Sequence, residues 1–157
     1  MRRKTKTSVR VIAAAAGLGV VAGLRSMTAP ALLAWAGHEG WTRTPRVLRQ
    51  GRGVKVASAL ALGEIIADKT PYIPNRTEPA SLAWRIASGA LVGGALCGAK
   101  HKSVTAGAVA GGLGALAATY GAFHLRHRLS ERVPDRLVAL GEDAIAVGGG
   151  ALLMRIA

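Results

Sequence analysis

The chain has 157 residues, enough for one domain over 1–157, and 50% of them are hydrophobic although only 4% are aromatic. Soluble cores use more large side chains, so the 21 glycines and the mean hydropathy of +0.30 favour an integral membrane domain over a soluble helical bundle. The formal net charge of +13 raises nucleic acid as a partner, but the basic residues lie between apolar stretches, where anionic lipid headgroups are the expected contact.

Apolar stretches rich in Gly and Ala predict an all-α, polytopic membrane protein with about five transmembrane or partly re-entrant helices. In chain order, the expected helices are 11–35, 54–72, 81–99, 103–123 and 137–156. Crossing a bilayer takes roughly 20 residues, and the fourth stretch reaches this length without a charge. In the third stretch, Trp84 and Arg85 are expected at the interface, where Trp anchors a helix and Arg snorkels.

Proline marks the segment between the second and third helices. Pro71, Pro74 and Pro79 fall within ten residues, and this density excludes a regular helix. We expect an ordered loop over 71–79, since prolines limit the entropy that is lost on ordering. A plain rigid turn is the alternative.

Glycines four residues apart lie on one face of a helix and let two backbones approach closely. Three of the predicted helices contain such pairs: Gly19 and Gly23, Gly89 and Gly93, and Gly107 and Gly111. We expect a tight bundle. We also expect a homo-oligomer, because five short helices barely enclose a pathway.

Two short matches hint at an internal repeat. Ala-Leu-Gly-Glu occurs at 61–64 and again at 139–142, and the segment 17–22 is similar to 112–117. A true repeat would be shifted by three helices, and an odd shift inverts the second copy relative to the first. Chance similarity between stretches rich in Ala, Leu and Gly is the alternative.

Charged residues inside these apolar stretches are the candidate functional residues, because a charge at membrane depth costs several kcal/mol. They are Arg25, Glu64, Asp68, Glu142 and Asp143. One hypothesis is that they line a cavity through which a transporter or channel passes an ion, a proton or a small polar solute. The other is a structural or scaffold protein in which ion pairs only hold helices together. Both predict that Arg25 contacts Glu64 or Asp68, and the first places Glu64 and Glu142 in one central layer.

Catalytic and metal-binding motifs are weak. His124 and His127 have a spacing compatible with metal ligation, but Arg126 and Arg128 beside them would repel a cation. No nucleophile elbow or phosphate loop occurs. The single Cys97 excludes an intrachain disulfide and is expected to be a buried filler. We therefore expect no enzyme, metal or cofactor.

Two blocks carry a family resemblance. Residues 23–33 place Arg25 a few residues before Pro30, and residues 63–75 place Glu64 before a Tyr-Ile-Pro turn. Together they resemble the bacterial membrane proteins grouped as domain of unknown function 4126. The resemblance covers most of the chain. It implies a small multi-pass protein of the inner membrane and leaves the activity open.

Overall fold

The structure, a computed structural model, describes residues 2–41, 46, 50–67, 78–129 and 134–156, without the side chains of 2–7, 67, 135 and 136. The helices are α1 (Arg2–Leu24), α2 (Thr28–His38), α3 (Gly51–Ala67), α4 (Pro79–Ala99), α5 (Val104–Leu129), α6 (Asp135–Ala144) and α7 (Gly150–Ile156). A π-helical turn, Ile145–Gly149, joins α6 to α7, and we call these three segments the C-terminal helix. The all-α prediction is confirmed over these ranges. Asp68 and residues 71–77 of the predicted loop lie outside them.

Within the described ranges, three helices are long and apolar enough to cross a membrane: Pro79–Ala99, Val104–Leu129 and Leu137–Ile156. The apolar part of α1, Ser8–Leu24, is shorter. The predicted total of five is therefore not confirmed, although the three long helices lie where the last three stretches were expected.

The central contact joins α1, α4 and α5 through glycines. A Cβ atom added to Gly89 would lie 2.6 Å from the carbonyl oxygen of Gly111, and one added to Gly19 would overlap the same carbonyl. The backbones can approach this closely because no side chain stands between them. The glycines at the contacts among these three helices include all six that the sequence singles out: Gly19, Gly23, Gly89, Gly93, Gly107 and Gly111.

Helices α4 and α5 form an antiparallel hairpin. Gly89 faces Gly111, whereas Gly93, one turn later in α4, faces Gly107, one turn earlier in α5. The turn between them places His101 in the left-handed region at φ 53°. Cys97 is fully buried at the end of this hairpin, as expected.

Helices α1 and α5 run in the same direction. Gly19 faces Gly111, and further along both helices Thr119 Oγ1, which is 2.8 Å from the carbonyl oxygen of Ala115 in its own helix, lies 3.2 Å from the carbonyl oxygen of Gly23. The similar segments 17–22 and 112–117 lie in these two helices. Copies related by inversion would run in opposite directions, so this pair gives no support to an inverted repeat.

The C-terminal helix runs antiparallel to α1. Asp143 pairs with Arg25 near the end of α1, and ten residues later Leu153 lies against Gly17, two turns earlier in α1. These contacts bring the polar end of the C-terminal helix to the end of α1.

Helix α2 turns back instead of continuing α1, which corrects the prediction of one helix over 11–35. Leu32 of α2 contacts Gly150 of the C-terminal helix. Further along both segments, the guanidinium carbon of Arg155 lies 4.9 Å from the ring centroid of Trp41, which follows α2. α2 therefore runs in the same direction as the C-terminal helix and opposite to α1. The first apolar stretch folds as a helical hairpin with its turn at 25–27.

Among the described helices, α3 lies on the outer side of the α1–α2 hairpin. It packs against α2 and leaves four large apolar side chains more than half exposed: Val56, Leu60, Leu62 and Ile66. Its other notable residue is Glu64, which faces the turn at 25–27.

Candidate functional site: a polar layer at the α1–α2 turn

The turn between α1 and α2 interrupts the backbone hydrogen bonding of the first apolar stretch. The amide of Arg25 still donates to the carbonyl of Val21 at 2.8 Å, so α1 is regular up to the turn. Beyond it, the first helical bond of α2 runs from the amide of Ala31 to the carbonyl of Met27 at 3.1 Å, so the backbone groups of 25–27 have few partners within their own helices. Unsatisfied backbone groups at membrane depth cost several kcal/mol each. The turn must therefore find its partners on other helices.

Glu64 of α3 binds the amides at the start of α2. Its Oε1 accepts hydrogen bonds from the amide and the hydroxyl of Ser26, each at 2.8 Å, and its Oε2 accepts one from the amide of Met27 at 2.8 Å. A negative charge is stabilised at a helix N-terminus, where the free amides point outward and the helix dipole is positive. Glu64 thus caps α2 from a different helix.

Side chains of α4 bind the carbonyls of the same turn. Arg85 Nη1 donates to the carbonyls of Gly23 at 2.8 Å and of Leu24 at 3.0 Å. The hydroxyl of Ser88 donates to the carbonyl of Ser26, two residues before α2 begins. The polar groups at the turn are therefore held by α3 on one side and by α4 on the other.

The sequence predicts that Arg85 lies at the membrane interface, and the structure shows it buried instead. It is only 5% exposed, whereas its neighbour Trp84 is 56% exposed. Besides its two carbonyl contacts, Arg85 Nη2 lies 3.9 Å from Glu64 Oε1. The guanidinium faces inward because the turn offers it acceptors that outweigh the cost of burial.

Arg25 pairs with Asp143 through its Nε atom. Arg25 is 2% exposed, so its charge is buried in the bundle. The sequence led us to expect Glu64 or Asp68 as the partner. Among the described residues, the C-terminal helix supplies Asp143 as a partner, while Glu64 is held by Ser26, Met27 and Arg85. Asp68 lies outside the described residues, so its contact with Arg25 stays a prediction.

Glu142 faces a different helix from Asp143. Arg126 Nη2 of α5 donates to Glu142 Oε2 at 2.9 Å. Consecutive residues of an α-helix point about 100° apart, so two adjacent acids reach two different neighbours. The π-helical turn begins two residues after Asp143, and such turns occur often at functional sites.

Among the described residues, six charged side chains form this region, which we call the polar layer: Arg25, Arg85, Arg126, Glu64, Glu142 and Asp143. Their formal charges balance, three against three. Arg85 lies six residues into α4, and Asp143 lies six residues into the candidate span that begins at Leu137. At 1.5 Å per residue, the layer is about 9 Å inside the ends of these helices.

Within the described residues, three helices of membrane-spanning length, with a layer of paired charges near one end, define a polytopic helical membrane protein. Residues 12–156 match the family described as domain of unknown function (DUF4126), and the chain belongs to that family. This confirms the resemblance seen in the sequence. Comparison with curated proteins and with solved structures gave no match.

Sequence reasoning missed the residues that bind the turn from α4 and α5. Arg85 and Ser88 lie three residues apart on an otherwise apolar helix, and Thr119 lies within the long apolar stretch of α5. The available signal was Pro30, since a proline inside a predicted helix frees a carbonyl that needs a donor from elsewhere.

Proposed function

We propose that the protein is a small transporter or channel of the bacterial inner membrane, and that the polar layer is the level at which an ion or small polar solute binds. The observation that supports this most is the turn at 25–27, where backbone groups meet charged side chains from α3, α4 and the C-terminal helix. Irregular backbone at membrane depth is tolerated where it is buried in protein or lines a wet pathway. Secondary transporters bind substrates at such interrupted helices.

The proposed roles follow from the contacts. Arg25 and Glu64 line the pathway, with Asp143 and Glu142 contributing from the C-terminal helix, and Arg85 holds the turn in place. Asp68 keeps the role that the sequence gave it. We propose a homo-oligomer in a bilayer with anionic headgroups, no nucleic-acid partner, and no catalytic activity.

A scaffold function is the second candidate, and one observation favours it. Each acid of the polar layer has a described partner: Arg25 for Asp143, Arg126 for Glu142, and the amides at the α2 start for Glu64. Such pairs are enough to fix the packing of the helices without any role in transport, because separating a charge from its partner is strongly destabilising.

Flux through a charge-neutral variant separates the two functions. The double variant Arg25→Gln/Asp143→Asn removes both charges of the pair together. The single variant Asp143→Asn would instead leave the Arg25 charge without Asp143. The protein would be reconstituted in liposomes and flux measured across a series of small cations, anions and neutral solutes, with Glu78→Gln at an exposed position as the control. Transport predicts flux in the wild type and the control, and its loss in a double variant that still folds. A folded double variant with unchanged flux, or a wild type that passes no solute, would refute the transport proposal.

A further inference from the structure

We infer that the start of α2 is a binding site for a small planar monoanion with two oxygens, such as a carboxylate, and that Glu64 fills this site as a competitor tethered to the chain. The inference deepens the proposed transport function by naming a substrate class for the same layer. Binding itself does not require transport, so the two can fail separately.

The donor geometry selects the shape of the anion. Two donors of Ser26 converge on Oε1, and the amide of Met27 approaches Oε2, all at 2.8 Å. Formate, acetate and nitrate present two oxygens in one plane and can satisfy the same three donors. A halide offers one centre to donors that point at two positions, so it fits less well.

The charge of the layer selects the valence. An anion that replaces Glu64 takes the place of one carboxylate, which carries a single negative charge. A monoanion therefore leaves the charge of the layer unchanged, and Arg85 Nη2, which lies 3.9 Å from Oε1, attracts it. A dianion would overcompensate in a region where charge is costly.

A second observation at the same place points to a ligand. The hydroxyl of Thr28, the first residue of α2, is buried with the residue 4% exposed, yet it has no hydrogen-bond partner within the described part of the chain. Buried hydroxyl groups are nearly always paired. Thr28 follows directly on Met27, whose amide binds Glu64, so an anion that is not tethered to α3 could use this donor as well.

Glu64 can leave because of the helix that carries it. α3 packs against α2 and exposes much of its apolar surface, including Val56 and Leu60. A small displacement of α3 would withdraw the carboxylate while α1, α4 and α5 keep their glycine contacts. An anion from solution would then replace Glu64, and α3 would act as the gate.

The test uses variants that lack the tethered carboxylate. Glu64→Ala and Glu64→Gln would be purified in non-ionic detergent, and unfolding would be followed by labelling of the buried Cys97 with a fluorogenic maleimide. Formate, acetate or nitrate should raise the melting temperature of Glu64→Ala by roughly 5–10 °C at 100 times the dissociation constant. The wild type and the exposed-site control Glu78→Ala should barely respond, and chloride should act more weakly.

Two further arms identify the site and the source of the anion. Adding Ser26→Ala to Glu64→Ala removes one donor and should weaken anion binding about tenfold. Phosphatidylglycerol and phosphatidylcholine would be added in separate samples. Stabilisation by phosphatidylglycerol but not by formate would assign the site to a lipid headgroup and overturn the inference.

The remaining outcomes are also decisive. If Glu64→Ala does not fold alone, Glu64→Gln keeps the size of the side chain. Either variant would then be purified with formate present, and the yield of folded protein would be measured instead of the melting temperature. Recovery of folded protein supports the site, and no recovery with any of these anions overturns it. Folded variants that respond to anions no more than Glu78→Ala does would also overturn it. Anion binding without flux would refute transport alone, whereas flux without anion binding would refute this inference alone.

Discussion

A methyl group at Gly111 should destabilise the protein, whereas the same change ten residues later in α5 should not. An added Cβ at Gly111 would overlap the carbonyl oxygen of Gly89 and lie 2.9 Å from its carbonyl carbon, and a backbone on the facing helix cannot rotate away as a side chain can. At Gly121, nothing lies within 4 Å of the added atom. Gly111→Ala and Gly121→Ala are therefore a matched pair on one helix.

The magnitude follows from what the two variants share. Replacing Gly with Ala inside a helix gains about 0.5–1 kcal/mol in either position, and this gain cancels in the comparison. Overpacking a tight contact typically costs about 1–3 kcal/mol. We therefore expect Gly111→Ala to be roughly 1–3 kcal/mol less stable than Gly121→Ala. For a chain of this size, 1 kcal/mol shifts the melting temperature by about 2–4 °C.

Cys97 provides the assay, because it is the single cysteine and is fully buried. A fluorogenic maleimide should label it only as the α4–α5 hairpin opens, so labelling against temperature gives the melting temperature of each variant in the same detergent. Helical content before heating serves as the control for correct folding. Equal melting temperatures, or a more stable Gly111→Ala, would refute the argument that the bundle is held by backbone contact at this glycine.

Two further predictions test the turn and the opposite end of the bundle. Ser88→Ala should cost about 1–3 kcal/mol by leaving the buried carbonyl of Ser26 without its donor; the loss is read from Cys97 labelling, and an unchanged melting temperature would contradict this hydrogen bond. Arg155→Ala should lower stability by about 0.5–1 kcal/mol and change the tryptophan fluorescence, because Arg155 lies over the ring of Trp41; an unaltered spectrum would count against that contact.

The sequence alone determined the class of protein, because that depends on local composition. Long stretches of apolar and small residues form helices in lipid wherever they occur, and this placed α4, α5 and the C-terminal helix nearly at their observed bounds. The spacing of glycines also singled out Gly19, Gly89 and Gly111, since a four-residue interval fixes a shared helical face. The cost of intramembrane charge likewise drew attention to Arg25 and Glu64.

Only the tertiary structure decided how those charges are partnered. Whether a proline interrupts, kinks or reverses a helix depends on which donors and acceptors neighbouring helices bring to the freed backbone groups, and these come from residues distant in sequence. Glu64 approaches from 38 residues away, and Asp143 from 118. Pro30 thus marked a weak point in the first apolar stretch. The turn itself became stable because Glu64, Arg85 and Ser88 satisfy its amides and carbonyls in a setting where water cannot.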